Sequence, residues 1–148
     1  RRIGYQAAMR DSGLVLDPTL VAGTSYFMSS EETRAGVARL LGADPRPTAV
    51  FCANDDMAAE CVAAAREAGL RIPDDLSVAG YGDTTAGHLL DITTVHQDPV
   101  SMGRRAAERL LERLQALDCP PANISLPVQL VVRGSTAAPA ALTTRSVS

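Results

Sequence analysis

Apolar residues in the first twelve positions recur at the spacing of an α-helix. The residues that share one face are Ile3, Ala7 and Ala8. Ser12 followed by Gly13 is typical of a helix C-terminus, so the pattern predicts a helix over residues 1–12. This helix is expected to follow a strand outside the sequence, and the stretch TLVAG, residues 19–23, predicts a short strand after it.

A second helix is predicted from a capping signal and the helical stripe that follows it. Ser29 and Glu32 have the spacing of a capping box, in which each side chain bonds the backbone N–H of the other residue. The helix should therefore begin near Ser30 and end before Gly42. Its inward face is expected to consist of Thr33, Val37, Leu40 and Leu41.

The middle of the chain combines continuous apolar runs with another helical stripe. The run TAVFCA, residues 48–53, is typical of a central parallel strand with both faces covered by helices. A helix that ends at Gly69 is predicted next, because apolar residues again share one face. That face consists of Met57, Cys61, Ala65 and Ala68. Two further buried strands are predicted from LSVAGY, residues 76–81, and ITTVH, residues 92–96.

The last third of the chain changes from helical to strand periodicity. Asp98 and Pro99 have the types favoured at the N-cap and first position of a helix, which is predicted to run to about Leu117. Its packed stripe is expected to be Ala106, Leu110, Leu114 and Leu117. Residues 124–132 alternate apolar with polar, which predicts a half-buried strand. Pro127 puts that strand at a sheet edge, because proline cannot donate to a ladder.

The alternation of strands and helices predicts an α/β fold with a mostly parallel sheet flanked by helices. In such sheets, ligands gather outside the carboxyl ends of the strands. Asn54, Asp55 and Asp56 lie at such an end and also at a helix N-terminus. Two compatible interpretations follow: these residues cap the helix, or one carboxylate accepts hydrogen bonds from a hydroxyl-bearing ligand.

Composition narrows the class of protein. The 148 residues are 46% hydrophobic, which is enough for one sizeable core or two small lobes. A net charge of −3 supplies no basic surface for nucleic acid, so any DNA binding must come from residues outside this sequence. The three cysteines lack CxxC spacing and are expected to be reduced thiols, which favours the cytoplasm. No apolar run approaches the roughly 20 residues of a membrane span.

An enzymatic alternative uses the same acidic residues. Asp55, Asp56 and Asp83 all fall near strand ends, where they can hold a magnesium ion for phosphoryl transfer. Against this, the sequence has no glycine-rich phosphate loop and no GxSxG motif. His88 and His96 have no partner at metal-ligand spacing, and no cofactor is expected.

Six segments follow one another along the chain in a distinctive order. They are RRIGY, DPTLV, SSEETRAGVARLL, PTAVFCANDDMAAECVAAAREAGLRIPDDLSVAGYGD, TTVHQDPVSMGRRAAERLL and LPVQLVVRGST. This succession resembles the effector-binding region of LacI/GalR transcriptional repressors up to about Ala137. The resemblance implies a type I periplasmic-binding-protein-like sensor, whose two lobes close around a small molecule and control an N-terminal helix-turn-helix.

The resemblance also implies how the chain divides. Residues 1–96 would form an incomplete C-terminal lobe, residues 97–122 a helix of the N-terminal lobe, residues 123–136 a strand that crosses back, and residues 137–148 a loose tail. The DNA reader, the hinge helix, most of the N-terminal lobe and the first strand of the C-terminal lobe are expected to lie outside these residues. The sheet should therefore contain a gap, which another copy or the rest of the protein fills, and a homodimer is expected.

Family motifs assign effector-binding residues by position. The resemblance implies that Arg1 of RRIGY reaches the effector, that Asp55 of the ND motif accepts from sugar hydroxyls or a base edge, and that Gln97 lies at the lobe crossing. An aromatic residue that stacks on the effector would fall near Met28, with Phe27 beside it. These residue types suit a polar guest, because a carboxylate offers several lone pairs and a guanidinium offers a planar fork of donors.

Two departures from the family pattern concern the mouth of the cleft. Gly82 replaces the first of two acids that often follow the GY strand, which leaves Asp83, and LLDI, residues 89–92, replaces a double proline. The sequence as a whole predicts a non-enzymatic, cytoplasmic sensor of a sugar or related metabolite, with a nucleobase as a second effector class. The metal-dependent phosphoryl-transfer enzyme and an exported solute-binding protein remain the alternatives.

Overall fold

The predicted alternation of helices and strands is present in the computed structural model, which describes residues 1–23, 29–116 and 120–139. The helices are α1 (Arg2–Asp11), α2 (Ser30–Leu41), α3 (Asp55–Glu67), α4 (Thr85–Leu89) and α5 (Pro99–Gln115). The strands are β1 (Ala49–Phe51), β2 (Ser77–Ala79), β3 (Thr94–His96) and β4 (Gln129–Val131).

The strands form two short ladders that are joined into one layer. β1 pairs with β2 in parallel, and β3 pairs with β4 in antiparallel orientation. Isolated parallel bridges connect Ala79 with Thr93 and Gly82 with His96. The strand order is therefore β1-β2-β3-β4, and the carboxyl ends of the three parallel strands lie at the same edge of the sheet.

The core lies where α3 covers this sheet. Three residues of the predicted α3 stripe, Met57, Cys61 and Ala65, are buried, whereas Ala68 is the exposed C-cap before Gly69. Other buried apolar residues are Val37, Cys52, Ala58, Val62, Leu76, Val78 and Ile92. Burial of a whole valine, leucine or isoleucine side chain contributes about 1.5–3 kcal/mol to the free energy of unfolding. This cluster is therefore the main source of the domain's stability.

The capping box predicted for α2 is confirmed. The Ser29 hydroxyl accepts from the Glu32 backbone N–H at 3.1 Å, and the Glu32 carboxylate accepts from the Ser29 N–H at 2.7 Å. Thr33, Val37 and Leu40 face inward as predicted, and Leu41 is half-buried. Local sequence therefore fixes both the start and the buried face of this helix.

The strand predicted for residues 19–23 was wrong. Pro18–Leu20 forms a single 3₁₀ turn instead, because the Asp17 carboxylate accepts from both the N–H and the hydroxyl of Thr19. Val21 then has an extended backbone, but within the described ranges it belongs to no ladder.

β1 was predicted to be a central strand covered on both faces, and this too was wrong for the part of the chain that is described. Its ladder partner there is β2 alone, and Ala49 and Phe51 are exposed. A cavity of about 670 Å³ lies along its other edge, between β1 and residues 20–23. In a parallel ladder alternate residues bond to opposite sides, so Ala49 and Phe51 direct their backbone groups toward this space. The expectation that the sheet contains a gap stays a prediction.

The start of α5 agrees with the sequence, but its packing does not. Asp98 is the N-cap, and its carboxylate accepts from the N–H groups of Val100 and Ser101 at 3.0 Å each. The predicted packed stripe was wrong: Leu110 is 60% exposed and Leu114 is 69% exposed, because no described element covers this face. Leu117 lies outside the described residues.

The last strand lies at a sheet edge, as predicted. β4 pairs with β3 alone among the described elements, and Pro127 precedes it. The expectation of a half-buried strand was wrong, since Gln129 and Leu130 are exposed and Val131 is only partly covered. Residues 140–148 of the predicted tail lie outside the described residues.

Candidate functional site

The carboxyl ends of β1, β2 and β3 gather polar residues from distant parts of the chain. We call this group the strand-end rim and define it as Arg1, Tyr81, Asp83, His96 and Gln97. Parallel pairing produces it, because every loop that leaves a parallel strand emerges at the same edge. Arg1 and Gln97, which the family resemblance assigns to the effector and to the lobe crossing, both lie at this rim.

Arg1 ties the beginning of the chain to two strand ends. Its guanidinium donates to the backbone carbonyl of Ala53 at 2.7 Å, just after β1. Its guanidinium carbon lies 3.8 Å from the centroid of the Tyr81 ring, after β2. A cation over an aromatic face is held by the ring quadrupole, so Arg1 is oriented at the rim while it stays exposed.

Asp55 has a different environment from the one predicted. The residue is fully buried, and its carboxylate accepts from the Thr94 hydroxyl at 2.6 Å and from the Thr84 N–H at 2.7 Å. Both oxygens are therefore engaged inside the protein, with no surface for an effector to reach. The sequence-based role of Asp55 as a direct ligand contact needs correction: its carboxylate holds the loop after β2 against β3.

Two glycines leave the space that the buried carboxylate occupies. A Cβ atom at Gly80 would lie 2.3 Å from Asp55 Oδ1, and one at Gly87 would lie 2.8 Å from Asp55 Oδ2. The helix-capping interpretation holds for the neighbouring residue, because Asn54 is the N-cap of α3 and its side chain accepts from the Met57 N–H. Asp56 is exposed in the first turn.

Asp83 is the centre of an ionic cluster at the rim. Its Oδ1 lies 2.5 Å from Arg133 Nη2 and 3.4 Å from His88 Nε2, and its Oδ2 lies 3.0 Å from His96 Nδ1. The hydrogen bond from Arg133 is the main cause that lowers the pKa of Asp83 below its ordinary value. Asp83 has a positive φ of 54°, which aspartate tolerates better than most residues.

Sequence reasoning missed Arg133. It follows β4 in the stretch VVRGS, and it meets Asp83 at a separation of 50 residues. The available signal was a charged residue directly after an apolar edge strand, but nothing in the pattern identified its partner. The antiparallel return of β4 beside β3 is what brings the guanidinium to the rim.

The remaining predicted site residues have mixed outcomes. Gln97 is partly buried between His96 and the α5 cap, at the end of β3. Phe27 and Met28 lie outside the described residues, so their assignment as stacking partners stays a prediction.

The metal-site alternative finds no support in this geometry. No group of three or more His, Cys, Asp or Glu residues that can hold a metal occurs within residues 1–23, 29–116 and 120–139. Asp55 is held by Thr84 and Thr94, and Asp83 is held by Arg133 and His96. In the same part of the chain, no helix has the length and apolarity to cross a bilayer.

The two described cysteines are buried free thiols, as the sequence predicted for reduced residues. A hydrogen bond with Cys61 and burial raise the pKa of the Cys52 thiol well above its ordinary value. Cys52 therefore stays protonated at neutral pH. Cys119 lies outside the described residues.

The cavity along β1 does not coincide with the rim. It includes Arg1 and Cys52 in its lining but neither Asp83 nor Gln97. Among the described residues this edge of β1 has no partner strand. A further strand of the sheet would pack there, which explains the apolar walls of the cavity. We therefore base the candidate site on the strand ends and not on this cavity.

Comparison with known proteins identifies the domain. A family of periplasmic binding protein-like domains matches residues 1–136. The HTH-type transcriptional repressor PurR of Pasteurella multocida is 36% identical over 134 residues, which cover 89% of this chain and 40% of that protein. The chain is a periplasmic-binding-protein-like domain of the LacI/GalR type. It spans 40% of the length of that repressor.

Solved structures of this family share the fold. The transcriptional regulator CelR in complex with cellobiose superposes with a TM-score of 0.81 at 33% identity, over 89% of this chain and 40% of the other. A LacI family regulator from Enterococcus faecium with bound ribose gives a TM-score of 0.77 at 29% identity, over 90% and 49% of the two chains. The LacI/GalR-type chain described here matches 40% and 49% of the lengths of these two structures.

Proposed function

We propose that this LacI/GalR-type domain senses a small polar metabolite, most suitably a sugar, and thereby controls DNA binding by a helix-turn-helix region outside these residues. The observation that carries the proposal is the convergence of Arg1, Asp83, His96 and Gln97 at the carboxyl ends of parallel strands. Parallel α/β sheets bind ligands at this edge. The cellobiose and ribose in the two solved relatives support a sugar as the first class to test.

Arg1 is the proposed direct contact on this lobe. Its guanidinium is preset by the Ala53 carbonyl and the Tyr81 ring, so little conformational entropy is lost when a ligand oxygen binds. Gln97 supplies an amide that can donate and accept. Asp55 acts indirectly, since its carboxylate fixes the loop that carries Asp83.

A lobe boundary after residue 96 is part of the proposal. β3 ends at His96, and α5 begins at Pro99 with no buried residue, whereas the apolar core lies within residues 1–96. We assign residues 97–122 to the second lobe and residues 123–136 to the returning strand. A crossing at Gln97 would let effector binding change the angle between the lobes.

A ligand screen with matched arginine variants tests the function. Cellobiose, ribose, sucrose and adenine are titrated by calorimetry into the chain and into a longer protein that includes the second lobe. We expect one sugar to bind. The Arg1→Ala change should lower the affinity for that sugar about tenfold or more, because a charged hydrogen bond is lost. The control is Arg2→Ala, which changes the same charge one residue away. Equal affinity of wild type and Arg1→Ala contradicts the assignment.

The proposed regulator is cytoplasmic, non-enzymatic and homodimeric. Two buried free thiols fit a reducing compartment. The exposed apolar residues of α5, Leu110, Leu111 and Leu114 among them, offer a surface that a dimer or the second lobe would cover. Light scattering at several protein concentrations tests the dimer, and a mass equal to one chain at all concentrations rejects it for these residues.

A further inference from the structure

We propose that His96 is a hydrogen-bond acceptor for the effector at the strand-end rim, and that Arg133 is the positioning residue that gives it this role. The inference rests on the proposed function, because it gives His96 a specific role at the same site and adds Arg133 to that site. It is carried by one cluster of side chains: Asp83, His88, His96 and Arg133.

Arg133 is anchored before it reaches Asp83. Its side chain is only 13% exposed, and its Nη1 donates to the Ile92 carbonyl at 3.0 Å. Its backbone N–H donates to the Thr93 hydroxyl at 2.9 Å. The planar guanidinium can donate to the Ile92 carbonyl and to the Asp83 carboxylate at the same time and at fixed angles. The single ammonium of a lysine cannot do this. The orientation of the Asp83 carboxylate is thus set from the far side of β3.

The fixed carboxylate determines the tautomer of His96. Asp83 Oδ1 pairs with Arg133, and Oδ2 lies 3.0 Å from His96 Nδ1. A carboxylate only accepts hydrogen bonds, so Nδ1 must carry the proton, and in the neutral imidazole Nε2 then has a lone pair. The His96 side chain is 45% exposed. The rim therefore offers His96 Nε2 as a hydrogen-bond acceptor next to Gln97. Asp55 cannot supply such an acceptor, because its carboxylate oxygens are buried.

His88 belongs to the same cluster, but its contacts require the opposite tautomer to that of His96. Arg133 Nη2 lies 3.2 Å from His88 Nδ1, and a guanidinium only donates, so this nitrogen must accept. The proton of His88 is then on Nε2, which faces Asp83 Oδ1 at 3.4 Å. His88 and His96 are the only histidines of the chain, and the cluster gives them opposite tautomers.

Nitrogen-15 NMR of the imidazole rings tests the positioning role directly. In the neutral imidazoles, whose nitrogen-15 shifts distinguish the two tautomers, we expect His96 to be protonated on Nδ1 and His88 on Nε2. Arg133→Gln and Asp83→Gly should each shift His96 toward the Nε2–H tautomer, and Arg133→Lys should fail to restore the wild-type spectrum. Glycine suits position 83 because it tolerates the positive φ.

The outcomes of the NMR experiment are decisive in both directions. An Nε2–H tautomer of His96 in the wild type overturns the proposal without any variant. An unchanged His96 tautomer in a folded Arg133→Gln protein overturns the positioning role of Arg133. If Arg133→Gln does not fold, as judged by its amide spectrum, Asp83→Gly and Arg133→Lys decide the same question.

A binding experiment tests the acceptor role separately. Ribose and cellobiose are titrated into wild type, His96→Phe and His88→Phe. We expect His96→Phe to lose about tenfold or more in affinity and His88→Phe to stay within about twofold. Unchanged affinity of His96→Phe overturns the acceptor role and leaves the proposed function standing. No binding of either sugar to wild type overturns the sugar-sensing function itself, and the NMR result still decides the role of Arg133.

Discussion

The Thr94 hydroxyl donates to Asp55 Oδ1 at 2.6 Å, deep in the protein and across 39 residues of sequence. The same hydroxyl accepts from the Asp83 N–H at 3.4 Å, so one oxygen connects the buried carboxylate to the residue at the rim. An acid that sequence motifs assign to the ligand thereby becomes part of the support beneath the site.

Replacement of Asp55 with alanine should destabilise the domain. The change removes the buried acceptor of the Thr84 N–H and of the buried Thr94 hydroxyl, and hydrogen bonds to charged groups contribute about 1.5–3 kcal/mol each. We expect the free energy of unfolding to fall by about 2 kcal/mol or more in urea titrations. Asp56→Asn, at the exposed neighbouring position, should change it by less than about 0.5 kcal/mol. Equal stability of the two variants would sink the structural role.

Two glycine substitutions should have effects of opposite sign. Gly80→Ala places a methyl group 2.3 Å from Asp55 Oδ1, so overpacking should cost about 1–3 kcal/mol. Gly103→Ala, within α5, meets no atom within 4 Å and should stabilise that helix by up to about 1 kcal/mol. Thermal unfolding followed by circular dichroism measures both, and a stabilising Gly80→Ala refutes the close approach.

The pH dependence of stability should contain a contribution from Asp83. Its folded-state pKa is lowered chiefly by Arg133, so the ion pair stabilises the domain above the unfolded pKa of aspartate. That stability is lost as the pH falls through the lower, folded-state pKa. Asp83→Asn and Arg133→Gln should both flatten the acid limb of a plot of unfolding free energy against pH. A variant curve parallel to that of wild type contradicts the pairing.

Ser135 should contribute strongly to the stability of the domain for a residue of its size. Its buried hydroxyl donates to the Val78 carbonyl at 2.5 Å and accepts from the Thr93 N–H at 2.8 Å, so it bridges β2 and β3 where they lack a regular ladder. Ser135→Ala should cost about 1–3 kcal/mol, because two buried backbone groups lose a partner. The exposed Ser125→Ala is the control. Chemical unfolding that fails to separate the two variants would remove this role.

The face of α5 should tolerate polar residues. Leu110→Ser and Leu114→Ser should leave the unfolding free energy of the isolated chain within about 0.5 kcal/mol, since both side chains are exposed. Leu76→Ala, in the core, should cost about 2–5 kcal/mol. A large loss for Leu110→Ser in dilute solution would mean that this face is packed within one chain.

Sequence predicted the local features well because their causes are local. The Ser29–Glu32 box and the Asp98 cap each need residues within three positions of one another, and both are present. The apolar runs located β1, β2 and β3, and their alternation with helices predicted the parallel pairing. Helical periodicity also detected the amphipathic character of α5, but periodicity does not tell what covers an apolar face, so the inference of a packed stripe failed.

The site was harder to predict because its determinants are distant in sequence. The burial of Asp55 depends on Thr94 and on the space at Gly80, and no motif records those contacts. Arg133 meets Asp83 only after β4 has returned antiparallel to β3. A pattern within one segment can assign an acid to a strand end, but the direction in which its oxygens point is settled by the rest of the chain.

One edge of β1 has no partner strand within residues 1–23, 29–116 and 120–139, and such an edge favours pairing with other chains. The backbone amide and carbonyl groups of Ala49 and Phe51 can pair with an extended segment of another chain. We therefore expect the purified chain to aggregate at high concentration. Yield from bacterial expression should therefore improve with low temperature and dilute lysates. A solubility tag fused before Arg1 should reduce aggregation, because Arg1 lies beside the cavity along this edge of β1.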